Sequence, residues 1–199
     1  MIHPHNNVRI DISSLVFNMG QVKRLAGPDV KIMGIVKSDA YGHGLAEVSR
    51  ELERNGVYSL GAAFTHEAME LRKIGIRVPV VILCGIRSPE EAVAVVENDL
   101  TPVIFDMPSA ALLADAAERR NKRANIQVKI DTGMGRLGVP HQDAVAFLKE
   151  ISRFSRLNIE GLMSHLSSAD EDMDFTESQI RNFRNTIDAA RSEGIDLRL

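Results

Sequence analysis

The sequence predicts an α/β fold and, within that class, an incomplete (β/α) barrel. Short apolar runs alternate with longer amphipathic stretches, which indicates parallel strands joined by helices. Polar residues also follow three of the apolar runs. In a barrel the carboxyl ends of the strands converge on one face, where such side chains form an active site. An open, doubly wound sheet is the alternative fold within this class.

Six apolar runs are expected to form strands, and a seventh strand begins at the end of the chain. The opening segment, 8–27, predicts a short strand followed by a helix that begins near Ser13 or Ser14. The expected strands are 31–37, 57–63, 78–84, 101–105, 125–131 and 157–163, with the seventh at 195–199.

The stretches between the strands carry apolar residues three and four positions apart, as amphipathic helices do. Thr65 with Glu67 marks one helix start, and Ser88 followed by Pro89 marks another. Gly56, Gly75 and Gly194 are expected to close three helices. Because no linker rich in proline, glycine or serine interrupts this series, we expect a single domain over residues 1–199.

The run at 125–131 favours the barrel over the doubly wound sheet. Its apolar residues share one face of the strand, and its polar residues share the other. A strand in a doubly wound sheet is usually apolar on both faces, whereas a barrel strand carries polar groups near the active-site end. The apolar set is Ile126, Val128 and Ile130, and the polar set is Gln127, Lys129 and Asp131.

Composition excludes several classes of protein. The chain has 199 residues, 44% of them apolar, which excludes a disordered or low-complexity chain. With 24 basic and 27 acidic residues, it lacks the positive excess that binds a phosphate backbone, so no nucleic-acid partner is expected. Cys84 is the only cysteine, which fits a reducing compartment. Without an apolar leader or a long apolar run, we expect a cytoplasmic protein with no membrane partner.

Lys37 and the loop that follows it are the first candidates for chemistry. A lysine at the mouth of a barrel is partly withdrawn from water, which makes its amine a better nucleophile for a carbonyl group. The alternative is a lysine that simply extends to solvent. The segment Tyr41-Gly42-His43-Gly44 has two interpretations. Its glycines would let the backbone approach a ligand phosphate at a helix start, or the segment is only a tight turn between strand and helix.

Residues 133–138 match the G-x-G-x-x-G pattern of dinucleotide-binding loops, which leaves a nicotinamide-dependent oxidoreductase as an alternative. That motif should open a helix, but Val139 and Pro140 intervene here. The other interpretation is a loop over the barrel mouth that directs Arg136 inward. His165 follows the strand at 157–163 and suits stacking, proton transfer or a structural role. The sequence contains no metal-ligand cluster, so no metal is expected.

Three motifs together resemble the N-terminal part of alanine racemase, a fold-type III enzyme that uses pyridoxal 5'-phosphate (PLP). They are KIMGIVKSDAYGHG, VKIDTGMGRLGV and MSHLSSAD, and their order and spacing both fit. The resemblance covers nearly the whole chain. It implies a TIM-type (β/α)8 barrel domain and the interconversion of L-alanine and D-alanine, which supplies D-alanine for cell-wall peptidoglycan.

The resemblance also implies roles for particular residues. Lys37 corresponds to the lysine that carries PLP and exchanges the substrate Cα proton. Tyr41 corresponds to the tyrosine that contacts the cofactor phosphate, and His165 to the histidine beside the pyridine ring. Arg136 corresponds to the arginine that contacts the phenolic oxygen of PLP and the substrate carboxylate.

Two more positions match the family pattern. Lys129 corresponds to a lysine that is often carbamylated, and a carbamate there would pair with Arg136. Met134 corresponds to a residue on the substrate side of the same loop. The family acts as a homodimer on a small amino-acid substrate, and its second proton donor is a tyrosine from a C-terminal β-domain.

The sequence departs from the family after Leu199. The last barrel strands, the C-terminal β-domain and the second tyrosine are absent, so we expect a barrel truncated before closure. We expect a fragment of the full enzyme or a truncated product, inactive as a racemase when isolated. A non-catalytic PLP-binding barrel and a racemase of another amino acid remain alternatives.

Overall fold

The computed structural model describes residues 8–195 and Leu197. Its fold is α/β, and the paired strands run parallel to one another. The chain divides into two compact units, residues 1–80 and residues 81–199. The expected final strand at 195–199 falls largely outside the described residues. The single domain expected over 1–199 stays a prediction.

The first unit contains two paired strands and four helical segments. Strands β1 and β2 pair in parallel, with Ile35 opposite Gly61. Glycines at positive φ follow two of the helices, as expected at Gly56 and Gly75. The elements are α1 (Ile12–Ala26), β1 (Met33–Ile35), α2 (Lys37–Gly42), α3 (Leu45–Arg54), β2 (Ser59–Ala62) and α4 (Thr65–Lys73).

The expected short strand before α1 is wrong. Residues 8–11 are irregular because no strand of the described chain pairs with them, and the helix begins at Ile12. Asp11 caps this helix by accepting a hydrogen bond from the backbone N–H of Ser13 at 2.9 Å. Hydrogen bonds from the Ser13 and Ser14 hydroxyls lower the pKa of Asp11 to about 2. A local cap therefore determines where the ordered secondary structure begins.

The second unit continues the alternation of strands and helices. Strand β5 lies between β4 and β7, and it pairs with both in parallel. One helix begins after Ser88 and another ends just before Gly194, as the sequence predicts. The elements are β3 (Val80–Ile82), which begins at the unit boundary, α5 (Pro89–Glu97), β4 (Thr101–Ile104), α6 (Met107–Arg119), β5 (Ala124–Asp131), β6 (Val139–Pro140), α7 (Ala144–Ile151), β7 (Leu157–Met163) and α8 (Met173–Ser192).

The two faces of β5 differ as the sequence predicts. Ile126, Val128 and Ile130 are fully buried on the apolar face. On the other face Lys129 is also buried, with 9% of its surface exposed, while Asp131 is half-buried at the strand end. The polar face of β5 therefore includes a buried lysine, Lys129, close to the end of the strand.

Candidate functional site

The sequence-predicted site residues fall into two groups, one in each compact unit. Lys37 and Tyr41 belong to residues 1–80, beside the ends of β1 and β2. The second group belongs to residues 81–199 and surrounds the ends of β5 and β7. It consists of Lys129, Met134, Arg136 and His165.

Lys37 does not close a strand, contrary to expectation. Strand β1 ends at Ile35, and Lys37 is the first residue of α2, which is a left-handed turn. Residues 38–41 have φ angles between 51° and 57°, although none of them is glycine. Left-handed backbone costs about 1–2 kcal/mol for each such residue, so this turn stores several kcal/mol of strain. The surrounding structure must supply interactions that compensate for it.

Hydrogen bonds hold the left-handed turn at both of its ends. The N–H of Ala40 donates to the carbonyl oxygen of Val36 at 2.9 Å. The N–H of Leu45, the first residue of α3, donates to the Asp39 carboxylate at 2.6 Å. The N–H of Ser38 donates to the Glu67 carboxylate at 2.7 Å. The turn is therefore anchored both within its own loop and to helix α4.

The turn places the Lys37 amine beside the Tyr41 ring. The Nζ atom lies 5.8 Å from the ring centroid, and the lysine side chain is half-buried. No carboxylate of the described residues forms an ion pair with Lys37. Tyr41 is 59% exposed and lines an apolar cavity of about 620 Å³ between α1 and β1, although Lys37 does not line that cavity.

In the second unit, Asp131 organises the glycine-rich loop that follows β5. Its carboxylate accepts hydrogen bonds from the backbone N–H groups of Gly133 at 2.9 Å and Gly135 at 3.0 Å. Partial burial opposes ionisation, but these backbone donors and the Lys129 charge outweigh it and lower the pKa of Asp131. The anionic carboxylate thus fixes the path of the loop that carries Met134 and Arg136.

The G-x-G-x-x-G match does not form a dinucleotide-binding loop. Such a motif opens a helix, whereas Gly138 leads into strand β6 and the next helix begins at Ala144. Arg136 is exposed on this loop, and Met134 is half-buried. No hydrogen bond or ion pair within the described part of the chain engages the Arg136 guanidinium, so its donors are available to a ligand.

Gln179 connects the glycine-rich loop to the His165 segment. Its side chain on α8 is fully buried. The amide nitrogen donates to the Thr132 hydroxyl at 3.3 Å and to the His165 carbonyl oxygen at 3.1 Å. The amide oxygen accepts from the Ser167 N–H at 3.0 Å. One buried amide thereby fixes the backbone around the exposed His165.

Sequence reasoning missed two of these positioning residues. Glu67 was interpreted only as part of a helix start, yet its carboxylate also reaches the Lys37 turn. Gln179 gave no signal, because a glutamine within an amphipathic helix pattern is usually exposed. Gln179 is buried because the segments around Thr132 and His165 pack against α8 in the folded chain.

Two further findings concern metal ions and membranes. Within residues 8–195 and Leu197, no group of three or more histidine, cysteine, aspartate or glutamate side chains is arranged to hold a metal ion. Within the same residues, no helix combines the length and apolarity needed to cross a membrane.

Curated proteins similar to this chain are alanine racemases. The Geobacter sulfurreducens alanine racemase is 42% identical over 193 residues, which cover 95% of this chain and 50% of that protein. The Syntrophobacter fumaroxidans alanine racemase is 39% identical over 194 residues and is covered to 52%. The chain therefore spans about half the length of the curated relatives it matches.

Solved structures give the same result. A cycloserine complex of the Clostridium difficile 630 alanine racemase matches with a TM-score of 0.89 and 31% identity, over 94% of this chain and 51% of that one. A histidine racemase from Leuconostoc mesenteroides matches with a TM-score of 0.79 and 26% identity, over 87% of this chain and 46% of that one. These matches confirm the expected α/β class, that of the TIM-type barrel domain of alanine racemases. Since residues 10–199 match the model of the alanine racemase N-terminal domain, the chain belongs to that family.

Proposed function

We propose that this chain is the PLP-binding part of an amino-acid racemase that interconverts L-alanine and D-alanine. The observation that carries the proposal is the Lys37 amine, half-buried at the start of a strained left-handed turn and beside the Tyr41 ring. Backbone strain of this kind clusters at functional sites. The names of the relatives support the choice of substrate.

The residues present fit the chemistry of PLP. Lys37 offers an amine that no carboxylate of the described residues neutralises, and an amine is the group that bonds to the cofactor aldehyde. In the proposal, Tyr41 would offer a hydroxyl to the phosphate, and Arg136 would offer a planar set of donors to the phenolic oxygen. His165 would provide a ring beside the pyridine.

PLP supplies an electron sink that makes the Cα proton of an amino acid removable. The protein must then move that proton on either face of the substrate Cα. We assign one face to the Lys37 amine, and we assign the substrate carboxylate to Arg136. Met134 is assigned to the substrate side of the loop, and a carbamate on Lys129 would hold Arg136 in place.

The group that acts on the opposite face is not among these residues. In the proposal it comes from a further β-domain of a homodimeric, cytoplasmic enzyme that supplies D-alanine for peptidoglycan. The half-length match to the relatives fits this view. A second candidate is a barrel that binds PLP without racemising a substrate.

The first test is a titration of the protein with PLP, followed by visible absorbance. We expect a new absorbance band that is lost in Lys37→Ala. Lys149→Ala is the control, because Lys149 lies on α7 and forms a surface ion pair with Glu193 at 2.9 Å. The band should remain in the control, and a band that persists in Lys37→Ala would contradict the proposal.

The second test joins the chain to the C-terminal half of a relative. The chain is fused to the C-terminal half of the Geobacter sulfurreducens alanine racemase, and interconversion of the alanine enantiomers is measured. We expect turnover in the fusion and none in its Lys37→Ala form. PLP binding without turnover would favour the non-catalytic candidate. Turnover of histidine in preference to alanine would favour a racemase of another amino acid.

A further inference from the structure

Glu67 anchors the left-handed turn from outside its own loop. One carboxylate oxygen of Glu67 accepts the Ser38 N–H at 2.7 Å. The other accepts the N–H groups of Ala63 at 2.7 Å and Phe64 at 3.3 Å. A single side chain thus binds the segments that follow both β1 and β2.

The position of Glu67 is itself well defined. It lies in the first turn of α4, where its bonds to Ala63 and Phe64 cap the helix. Its carboxylate is half-buried, and hydrogen bonds to an ionised acceptor are stronger than neutral ones. Glu67 is therefore a rigid acceptor at the point where the strained backbone begins.

The strand pair fixes the other side of Lys37. The N–H of Val36 donates to the carbonyl oxygen of Gly61 at 2.9 Å, in continuation of the β1–β2 pairing. Lys37 consequently lies between two backbone groups that are both held, Val36 on one side and Ser38 on the other. Without the bond to Glu67, the Ser38 end of the turn would lose its hydrogen bond to helix α4, and residues 38–41 would leave the left-handed region more readily, which would reorient the Lys37 side chain.

We propose that Glu67 is a positioning residue that holds the left-handed turn and thereby orients the Lys37 amine toward its carbonyl ligand. This inference rests on the proposed function, since it assigns the ligand-bonding amine to Lys37. Glu67 itself touches no reacting atom. It acts through the Ser38 backbone.

The test compares Glu67→Gln with Glu70→Gln. Glu70 lies on the same helix, but it is exposed, and its side chain forms an ion pair with Lys73 at 3.4 Å. The first measurement is amide hydrogen exchange of residues 38–41 in the protein without PLP. We expect exchange to become at least about 10-fold faster in Glu67→Gln, since a backbone hydrogen bond is weakened, and to stay unchanged in Glu70→Gln.

The second measurement is the PLP concentration that half-saturates borohydride labelling of Lys37. We expect this half-saturating concentration to rise about 10-fold in Glu67→Gln, because the hydrogen bond from the Ser38 N–H is weakened. Adding Ser38→Gly to Glu67→Gln should recover part of the loss, because glycine adopts the left-handed conformation at little cost. A residue that only supported the fold would lower the melting temperature without changing either measurement on the folded protein.

The outcomes separate this inference from the proposed function. If wild-type protein is not labelled at Lys37, the proposed function fails. If wild-type protein is labelled at Lys37 and Glu67→Gln matches it in both labelling and exchange, the role of Glu67 is refuted. Should Glu67→Gln be too unstable to purify, Glu67→Asp keeps the charge with a shorter reach. The same two results are then expected, and their absence refutes the role.

Discussion

Gly138 packs directly against the backbone of Asp131. A Cβ atom on Gly138 would lie 2.7 Å from the Asp131 backbone nitrogen, and the φ angle of 133° is one that side chains rarely adopt. This contact closes the glycine-rich loop, because Asp131 ends β5 and Gly138 immediately precedes β6. The loop that carries Arg136 therefore depends on a glycine at this position.

Gly138→Ala should destabilise the protein by about 2–4 kcal/mol, since it adds both backbone strain and a clash. Gly20→Ala is the matched control. Gly20 lies within α1 with nothing near its Cβ position, so the change should stabilise the protein by about 0.5–1 kcal/mol. Urea unfolding of both variants measures the free energy of unfolding. Equal effects would contradict the close packing at Gly138.

Asp131 should make stability depend on pH. Its pKa is lower in the folded protein than the ordinary value of 3.8, because the N–H groups of the loop bind the carboxylate. Its stabilising contribution is therefore complete above about pH 5 and is lost as the pH falls through the ordinary value toward the folded one. The melting temperatures of wild type and Asp131→Asn should differ at pH 7 and converge near pH 2. A difference that stays constant with pH would refute this role.

Gln179→Leu should lower the free energy of unfolding by about 2–4 kcal/mol, because it removes the hydrogen bonds of a buried amide to the Thr132 hydroxyl, the His165 carbonyl oxygen and the Ser167 N–H. Hydrogen exchange at residues 164–167 should also become faster. Glu177→Gln on the same helix removes only an exposed ion pair to Arg181 and should change stability by less than about 0.5 kcal/mol. Identical behaviour of the two variants would show that the buried amide holds nothing in place.

Arg136→Lys should harm racemisation although the charge is retained, since lysine does not reproduce the planar set of donors. In the fusion with the C-terminal half, we expect kcat/KM for alanine to fall about 10–1000-fold, equivalent to about 1.4–4 kcal/mol of transition-state binding. Arg153→Lys is the control, because Arg153 lies in the exposed turn after α7. Near-wild-type kinetics for Arg136→Lys would remove Arg136 from the site.

Much of the fold follows from the sequence, because the alternation of apolar runs and amphipathic stretches is local and regular. The six complete strands expected from it lie in the fold near their predicted positions. The two-residue strand β6 was not predicted, since its pairing depends on β5 and not on its own pattern. The roles assigned to the six site residues stay predictions.

The left-handed turn was not predictable from local patterns. Ser38, Asp39, Ala40 and Tyr41 have no preference for positive φ as a group, and hydrogen bonds to the Glu67 carboxylate, the Asp39 carboxylate and the Val36 carbonyl oxygen help to hold them there. The burial of Gln179 has a similar origin in tertiary contacts. Residues that position a site in this way become visible only when the fold is known.

The central claim is that Lys37 carries PLP, and one measurement tests it most directly. The protein is incubated with PLP, reduced with borohydride and digested, and the labelled peptide is identified by mass spectrometry. The account predicts that the label lies on Lys37, saturates at one group per chain and is absent from Lys37→Ala. A label on another lysine, such as Lys129, or labelling spread evenly over exposed lysines would contradict it.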